Sequence, residues 1–326
     1  MRAMVIQEFG GPEQLRQRDL PDPVASDGEV LIRVRAFGVN RAETYLRRGA
    51  WGREVARVSG IECVGQVEHD PSGRLARGEK VAALMGGLGR TRNGSYAELT
   101  VAPATNVVPI RTTLGWPDLA AIPECYATAW ACVVDQLRVT TGQRLVIRGA
   151  TSALGQAAVN VAHGLGAHVT ATTRRVERLD GLHALGADDA VLECSELSPD
   201  IRRRVPGGVD AVLDLLGNST FSDSLRMVRR HGTVCIAGFL GGPDAVSFDV
   251  LRDFAPGAAL TFFASFRFGT PEYPLSDVPL QRIVERAERG QYRTRPVRVF
   301  QLGDLPEAHR LMESNEAGGK LVVVVD

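Results

Sequence analysis

The chain has 326 residues, and its 38 Lys+Arg are matched by 38 Asp+Glu for a formal net charge of zero. Hydrophobic residues at 44% and charged residues at 23% describe an ordinary globular protein of one large or two smaller domains, and exclude a disordered chain and a coiled coil. Without a basic excess, neither nucleic acid nor an anionic membrane is expected as the main partner.

Up to about residue 120 the text reads as short strands and turns. Over residues 29–36, Val30, Ile32 and Val34 alternate with Leu31, Arg33 and Arg35 after an Asp27-Gly28 turn, as in a half-buried strand. Further strands are expected over 63–68, 80–84, 96–101 and 107–109. Such spacing, broken by Gly and Pro, suggests a small β-barrel or sandwich. From about residue 122 the texture changes. Strands over 144–148, 167–173, 190–192, 209–215, 233–237 and 260–265 alternate with helices over 176–185, 195–204 and 220–230. A further helix follows residue 149, with Leu154, Ala157, Ala158, Val161 and Leu165 at helical spacing. This alternation predicts a parallel sheet covered on both faces. A helix near 280–289 leads back to strand text at 295–300, a helix over 305–314 and an edge strand over 321–325.

Cys63, Cys125, Cys132, Cys194 and Cys235 are scattered, and no pair has C-x-x-C spacing. This argues against a disulfide framework or a compact Cys-rich zinc site. The N-terminal residues 1–10 do not read as a secretory signal. The uncharged stretch 149–173 holds Ser152, Gln156, Asn160, His163 and four glycines, which is no bilayer span. A cytoplasmic location is expected. Only Lys80 and Lys320 are lysines, so any single Arg is a weak functional signal.

The strongest chemical signal is Gly149-Ala150-Thr151-Ser152-Ala153-Leu154-Gly155, between a strand and a helix. Small residues there let the backbone approach a pyrophosphate, which sits on free N–H groups at the helix start. Ala150 and Ser152 occupy the first two glycine positions of G-x-G-x-x-G, and only Gly155 is kept. Ser152, Ala153, Leu154 and Gly155 are therefore candidate coenzyme contacts. At the end of the next strand an acidic residue would bind a ribose 2′-OH. The chain has Thr172-Thr173-Arg174-Arg175 there, with Arg178 one turn later. Arginine pairs with a 2′-phosphate, so Thr172, Arg174 and Arg178 point to NADPH. Glu193, after the third strand, would repel that phosphate.

Several segments together resemble one family. They are Met1-Arg2-Ala3-Met4-Val5, Phe9-Gly10-Gly11-Pro12-Glu13, Val39-Asn40-Arg41-Ala42-Glu43 before Arg48-Gly49, and Gly60-Ile61-Glu62 before Gly65. Later come Gly94-Ser95-Tyr96-Ala97-Glu98, Thr128-Ala129-Trp130, Gly186-Ala187-Asp188 and Gly319-Lys320. The set is similar to the zinc-independent, ζ-crystallin-like quinone oxidoreductases of the medium-chain dehydrogenase/reductase superfamily. The likeness runs nearly end to end. It implies an α/β chain with a GroES-like β-rich catalytic domain (1–121 and 297–326) and an inserted Rossmann domain with a doubly wound parallel sheet (122–296). Zinc enzymes resembling this fold place Cys near position 40 and His in a Gly-His-Glu segment. Here Asn40 and Ile61 stand there, and neither suits zinc, so no metal is expected.

Without a metal, hydrogen-bond donors must stabilise charge on the acceptor oxygen. The acceptors expected are quinones and α,β-unsaturated carbonyls. Asn40 and Tyr45, on a turn that faces the nicotinamide in similar enzymes, are the candidate catalytic donors, Asn40 also touching the coenzyme. The resemblance further implies coenzyme contacts from Thr128, from Gly238-Phe239-Leu240, from Phe263 and Ser265, and from Lys320. It also implies a homodimer through the apolar edge strand over 260–266. Two alternatives stay open. One is an enoyl-thioester reductase whose acyl carrier docks on Arg47, Arg48, Arg53 and Arg57. The other is a non-catalytic NADPH-binding protein.

Overall fold

The computed structural model describes residues 1–52, 55–242 and 244–326. Arg53, one of the four arginines of the expected docking patch, lies outside the described residues. The chain divides into two compact units, Met1–Glu124 with Ser265–Gly290 and Thr294–Asp326, and Cys125–Ala264 with Gln291–Arg293. Segment 265–290 thus belongs with the first unit, whereas the sequence placed it in the nucleotide domain. Side-chain bonds explain this. Asn106 Nδ2 donates to the Phe268 carbonyl at 3.0 Å, Gln281 exchanges bonds with the Arg111 backbone, and Glu288 accepts from Thr112 and Thr113.

In the first unit, β1 (Arg2–Ile6) and β2 (Leu15–Asp19) form an antiparallel pair. β3 (Glu29–Val39), β4 (Glu62–His69), β5 (Lys80–Leu84), β6 (Leu99–Pro103) and β7 (Val107–Pro109) build most of a seven-stranded sheet. The alternation in β3 is real: Val30, Ile32, Val34 and Ala36 are buried, while Leu31, Arg33 and Arg35 are half-buried. Two register shifts against β4 bend the strand. Tyr96, expected to open a strand, instead bonds the Ser59 backbone and packs its ring 4.7 Å from Phe37. The strand proper starts at Leu99.

The second unit carries β8 (Arg144–Arg148), β9 (His168–Thr173), β10 (Asp189–Leu192), β11 (Val209–Asp214), β12 (Val228–Ile236) and β13 (Ala259–Phe262). They pair in the order β10-β9-β8-β11-β12-β13, and every pairing is parallel. This is the doubly wound Rossmann arrangement, whose strand order reverses beside β8. The helix expected over 220–230 stops at Met227, and residues 228–231 open β12, which continues to Ile236 past His231 at φ 63°. The apolar edge strand expected over 260–266 ends at Phe262, and Ser265–Arg267 turns into a short 3-10 helix of the first unit. Leu260 and Phe262 are nonetheless exposed on that edge.

The chain returns to the first unit with β14 (Arg298–Gln301) and β15 (Leu321–Val324). The final strand was expected at an edge. It lies instead between β14 and β3, which explains its unbroken run of buried Leu321, Val322 and Val323. Among the described residues, no helix is long and apolar enough to cross a membrane.

Candidate active site and coenzyme site

Asn40 ends β3 and opens the helix Arg41–Arg47. Glu43, three residues on, turns back so that its Oε2 accepts from the Asn40 amide at 2.5 Å, while Oε1 accepts from the Ile61 amide at 3.0 Å. Sequence and helix geometry dictate this contact, since an acidic residue at the third helical position reaches the capping residue. Glu43 is fully buried. Burial pushes its pKa up to about 7 against the two amides and the nearby Lys320 charge, which pull it down.

The Asn40 amide is held at both ends. Lys320 Nζ donates to Asn40 Oδ1 at 2.6 Å, and Asn40 Nδ2 donates to Glu62 Oε1 at 2.9 Å. Lys320 also pairs with Glu62 Oε1 at 2.6 Å, and Glu62 Oε2 accepts from the Glu124 amide at 2.8 Å. Lys320 immediately precedes β15, whose Leu321 is paired with Val39 of β3, so the sheet delivers the ammonium to Asn40 from 280 residues away. Gly38 makes the space: a Cβ there would collide with the Lys320 and Glu62 side chains. The sequence assigned Asn40 to the acceptor oxygen and Lys320 to the coenzyme. In the structure both polar ends of Asn40 bond within the protein, and the Lys320 ammonium bonds Asn40 and Glu62.

Glu43 allows a prediction with a definite sign. Its folded pKa of about 7 lies above the ordinary 4.5, so as pH rises between these values the unfolded chain releases its proton first. Stability present below pH 4.5 is lost by pH 7, a loss of about 3 kcal/mol. Glu43→Gln should flatten the decline in urea-unfolding free energy between pH 5 and pH 8 by that amount. Parallel pH profiles for the two proteins would show that Glu43 holds no such proton.

Tyr45 lies one turn along the same helix. It is half-buried, its ring packs 5.1 Å from that of Trp51, and its hydroxyl bonds no other described residue. Half-buried rather than in the core, it keeps its donor. Arg47 is different. It is fully buried, donating to the Gly10 carbonyl at 3.0 Å and to His309 Nδ1 at 3.1 Å, with Glu313 as its ion-pair partner. His309 Nε2 meets the Tyr96 hydroxyl at 3.0 Å. Burial, then the Arg47 charge, push the His309 pKa down to about 3, so the ring is neutral. Arg48 shares Glu313 at 2.9 Å. The expected docking patch is thereby corrected: Arg47 is a core residue and Arg48 is ion-paired, because the helix turns both toward Glu313.

In the second unit, residues 149–155 form the turn between β8 and the helix Ala153–Gly164. Gly149 has φ 75°, a left-handed conformation that favours glycine. A Cβ on Gly155 would lie 2.6 Å from Ala150 Cα, so this glycine lets helix and turn close together. Ser152 caps the helix, its Oγ accepting from the Gly155 amide at 3.1 Å. The amides of Ala153 and Leu154 have no carbonyl to donate to within the helix, which fits a phosphate group. Leu240 packs against Gly149, Phe239 lies 6.0 Å from Phe262, and Gly238 abuts the Leu215 backbone. The 238–240 loop is thus part of this turn's surroundings. Thr128 and Phe263 are buried, and Ser265 falls in the other unit.

Arg174 is exposed just past β9 and makes no ion pair with a described carboxylate, whereas Arg175 is 4.0 Å from Glu177. Thr172 is fully buried. Its hydroxyl accepts from the Gly149 amide at 3.0 Å and donates to Glu193 at 2.6 Å, so it braces the turn from beneath. Glu193 points inward, onto Arg148 at 2.5 Å. Arg148, at the end of β8 and fully buried, also pairs with Asp223 at 2.9 Å. Burial alone would lower the Arg148 pKa, but Glu193, Asp214 and Asp223 hold it raised. The expected repulsion by Glu193 is therefore answered within the protein. Sequence reading missed Glu43 and Arg148; an arginine closing an apolar parallel strand was the available signal.

The family profile described as "Alcohol dehydrogenase GroES-like domain" matches residues 26–112, and that described as "Zinc-binding dehydrogenase" matches residues 185–323. A mouse quinone oxidoreductase is 31% identical over 251 residues, 74% of each chain. The chain belongs to the zinc-independent quinone oxidoreductases of the medium-chain dehydrogenase/reductase superfamily. It is an oxidoreductase of a nicotinamide-nucleotide class. An NAD-dependent alcohol dehydrogenase superimposes with TM-score 0.88 at 29% identity, covering 100% of both chains. A mycobacterial protein solved with NADPH gives 0.88 at 27% identity, covering 99% of both. Asn40 and Ile61 stand at the two positions where the resemblance would have put zinc ligands, and Lys320 pairs with Glu62 beside Asn40. Among the described residues, no group of three or more His, Cys, Asp or Glu side chains is arranged to hold a metal ion.

Proposed function

We propose that this oxidoreductase is an NADPH-dependent reductase of quinones or α,β-unsaturated carbonyls that works without zinc. One observation carries the reading: a glycine-tight turn opens a helix with unpaired amides, and an exposed Arg174 without a described carboxylate partner follows the adjacent strand. The Ala153 and Leu154 amides and the positive end of the helix take the pyrophosphate. Arg174, with Arg178 one turn on, takes the 2′-phosphate. Thr128, the 238–240 loop and Phe263 are proposed to complete the coenzyme site within the second unit. NADPH, when bound, supplies a hydride.

Tyr45 is the proposed donor to the acceptor oxygen, supported by a hydroxyl with no bond to another described residue. Asn40 and Lys320 serve as positioning residues, fixing the start of the Tyr45 helix through Glu62. The β13 edge, with Leu260 and Phe262 exposed, is the proposed homodimer seam, since an open apolar edge invites pairing. A solution mass of one chain at micromolar concentration would remove the dimer.

Rates of NADPH oxidation with 9,10-phenanthrenequinone, with crotonyl-CoA and without acceptor test the reading. Oxidation driven by the quinone supports it. Oxidation driven only by the thioester supports an enoyl-thioester reductase, and none at all leaves a non-catalytic binder. Tyr45→Phe should lower kcat with the quinone by on the order of 10²-fold. A change within threefold would take the donor role from Tyr45.

A further inference from the structure

The first unit holds a cluster that the reading above does not use. The Arg90 guanidinium lies over the Trp51 ring at 4.9 Å and over the Phe266 ring at 4.7 Å. Trp51 is also the ring against which Tyr45 packs. Trp51 and Phe266 are 46% and 50% exposed, so the cluster faces outward with Tyr45 beside it. Arg90 makes no ion pair and no side-chain hydrogen bond with any described residue. Its loop neighbour Arg92 behaves ordinarily, pairing with Glu29 at 2.8 Å. Stacking on aromatic rings occupies the faces of a guanidinium and leaves its in-plane N–H donors available. Partial burial with no compensating carboxylate lowers the Arg90 pKa, so this cation is desolvated without a described anion to answer it.

The backbone holds this arginine in place. Its amide donates to the Gly87 carbonyl at 3.0 Å, and its carbonyl accepts from the Ala56 amide at 2.8 Å. Leu88 is fully buried. A Cβ on Gly89 would lie 2.8 Å from the Gly60 amide nitrogen, and one on Gly94 would strike the Gly60 carbonyl. The loop is therefore pressed onto the 59–60 backbone and cannot drift. A guanidinium fixed in this way has already lost the rotamer freedom that an exposed arginine gives up on binding.

We propose that Arg90, framed by Trp51 and Phe266, is an anion subsite of the acceptor site, and that the acceptor class is a planar conjugated carbonyl bearing a carboxylate. The inference rests on the oxidoreductase reading, with Tyr45 serving the carbonyl while Arg90 receives the carboxylate. Trp51 and Phe266 offer apolar faces to the planar part of the molecule. A fork of N–H donors matches a carboxylate in two-point geometry, whereas an ester offers neither the charge nor the second strong acceptor.

The test uses anthraquinone-2-carboxylate and its methyl ester on the full chain. Calorimetry reads binding of each, and NADPH oxidation reads turnover of each. Wild type should favour the acid at least tenfold over the ester in both measurements. In Arg90→Gln the acid-over-ester ratio of kcat/KM should fall at least tenfold, to near unity, with Arg90→Lys between the two. Equal binding of acid and ester by wild type, or a ratio that Arg90→Gln leaves unmoved because both acceptors decline together, overturns the anion subsite and leaves the reductase reading standing. Arg90-dependent binding of the acid without any NADPH oxidation upholds the subsite and overturns the reductase reading.

Discussion

Lys320→Met should lower the unfolding free energy by about 3–5 kcal/mol, as expected when one partner of a buried ion pair is removed. The ammonium is 2.6 Å from both Glu62 Oε1 and Asn40 Oδ1, and the two charged side chains are 5% and 1% exposed. Without it, a buried carboxylate faces an amide that can donate to it but cannot neutralise it. Lys320→Met/Glu62→Gln removes both charges and should recover most of the loss, because an uncompensated charge costs more than a missing pair. Urea unfolding of the three proteins measures this. Additive losses would mean that the two residues do not act as a pair. A rise in KM for NADPH in Lys320→Met, out of proportion to stability, would place this lysine in the coenzyme site as well.

The second large effect concerns coenzyme choice. Arg174→Ala should reduce the NADPH-over-NADH ratio of kcat/KM by roughly 10- to 100-fold, the range expected for losing hydrogen bonds to a charged group. The effect should shrink as salt is added, since Arg174 is exposed and such charges are screened beyond about 10 Å at 0.1 M ionic strength. Glu193 does not oppose the preference, because Arg148 and Thr172 hold its carboxylate inward. A ratio unchanged by Arg174→Ala would place NADPH selection elsewhere.

Which parts of this were readable in the residues follows from how local each cause is. The alternation in β3, the small-residue turn at 149–155 and the Arg174 position are contiguous signals, and periodicity or turn chemistry exposes them directly. Element ends were less legible. The helix stopping at Met227 and the strand stopping at Phe262 depend on how neighbouring strands pair, which no window of sequence contains. The placement of β15 inside its sheet is of the same kind: the strand text was correct, and only its neighbours were hidden.

The candidate site divides along the same line. By itself, the sequence determined a two-part α/β oxidoreductase, a nucleotide turn, the lack of zinc-ligating side chains at positions 40 and 61, and a tyrosine five residues beyond Asn40 as the candidate donor. Only the tertiary structure decided that Asn40 and Lys320 serve each other, that Arg47 lies in the core, and that Arg90 stands over two rings without a described carboxylate. The physical reason is that hydrogen bonds and ion pairs act over about 3 Å in space with no regard for distance along the chain. Residues 40, 62 and 320 meet only because β3, β4 and β15 are neighbours in one sheet.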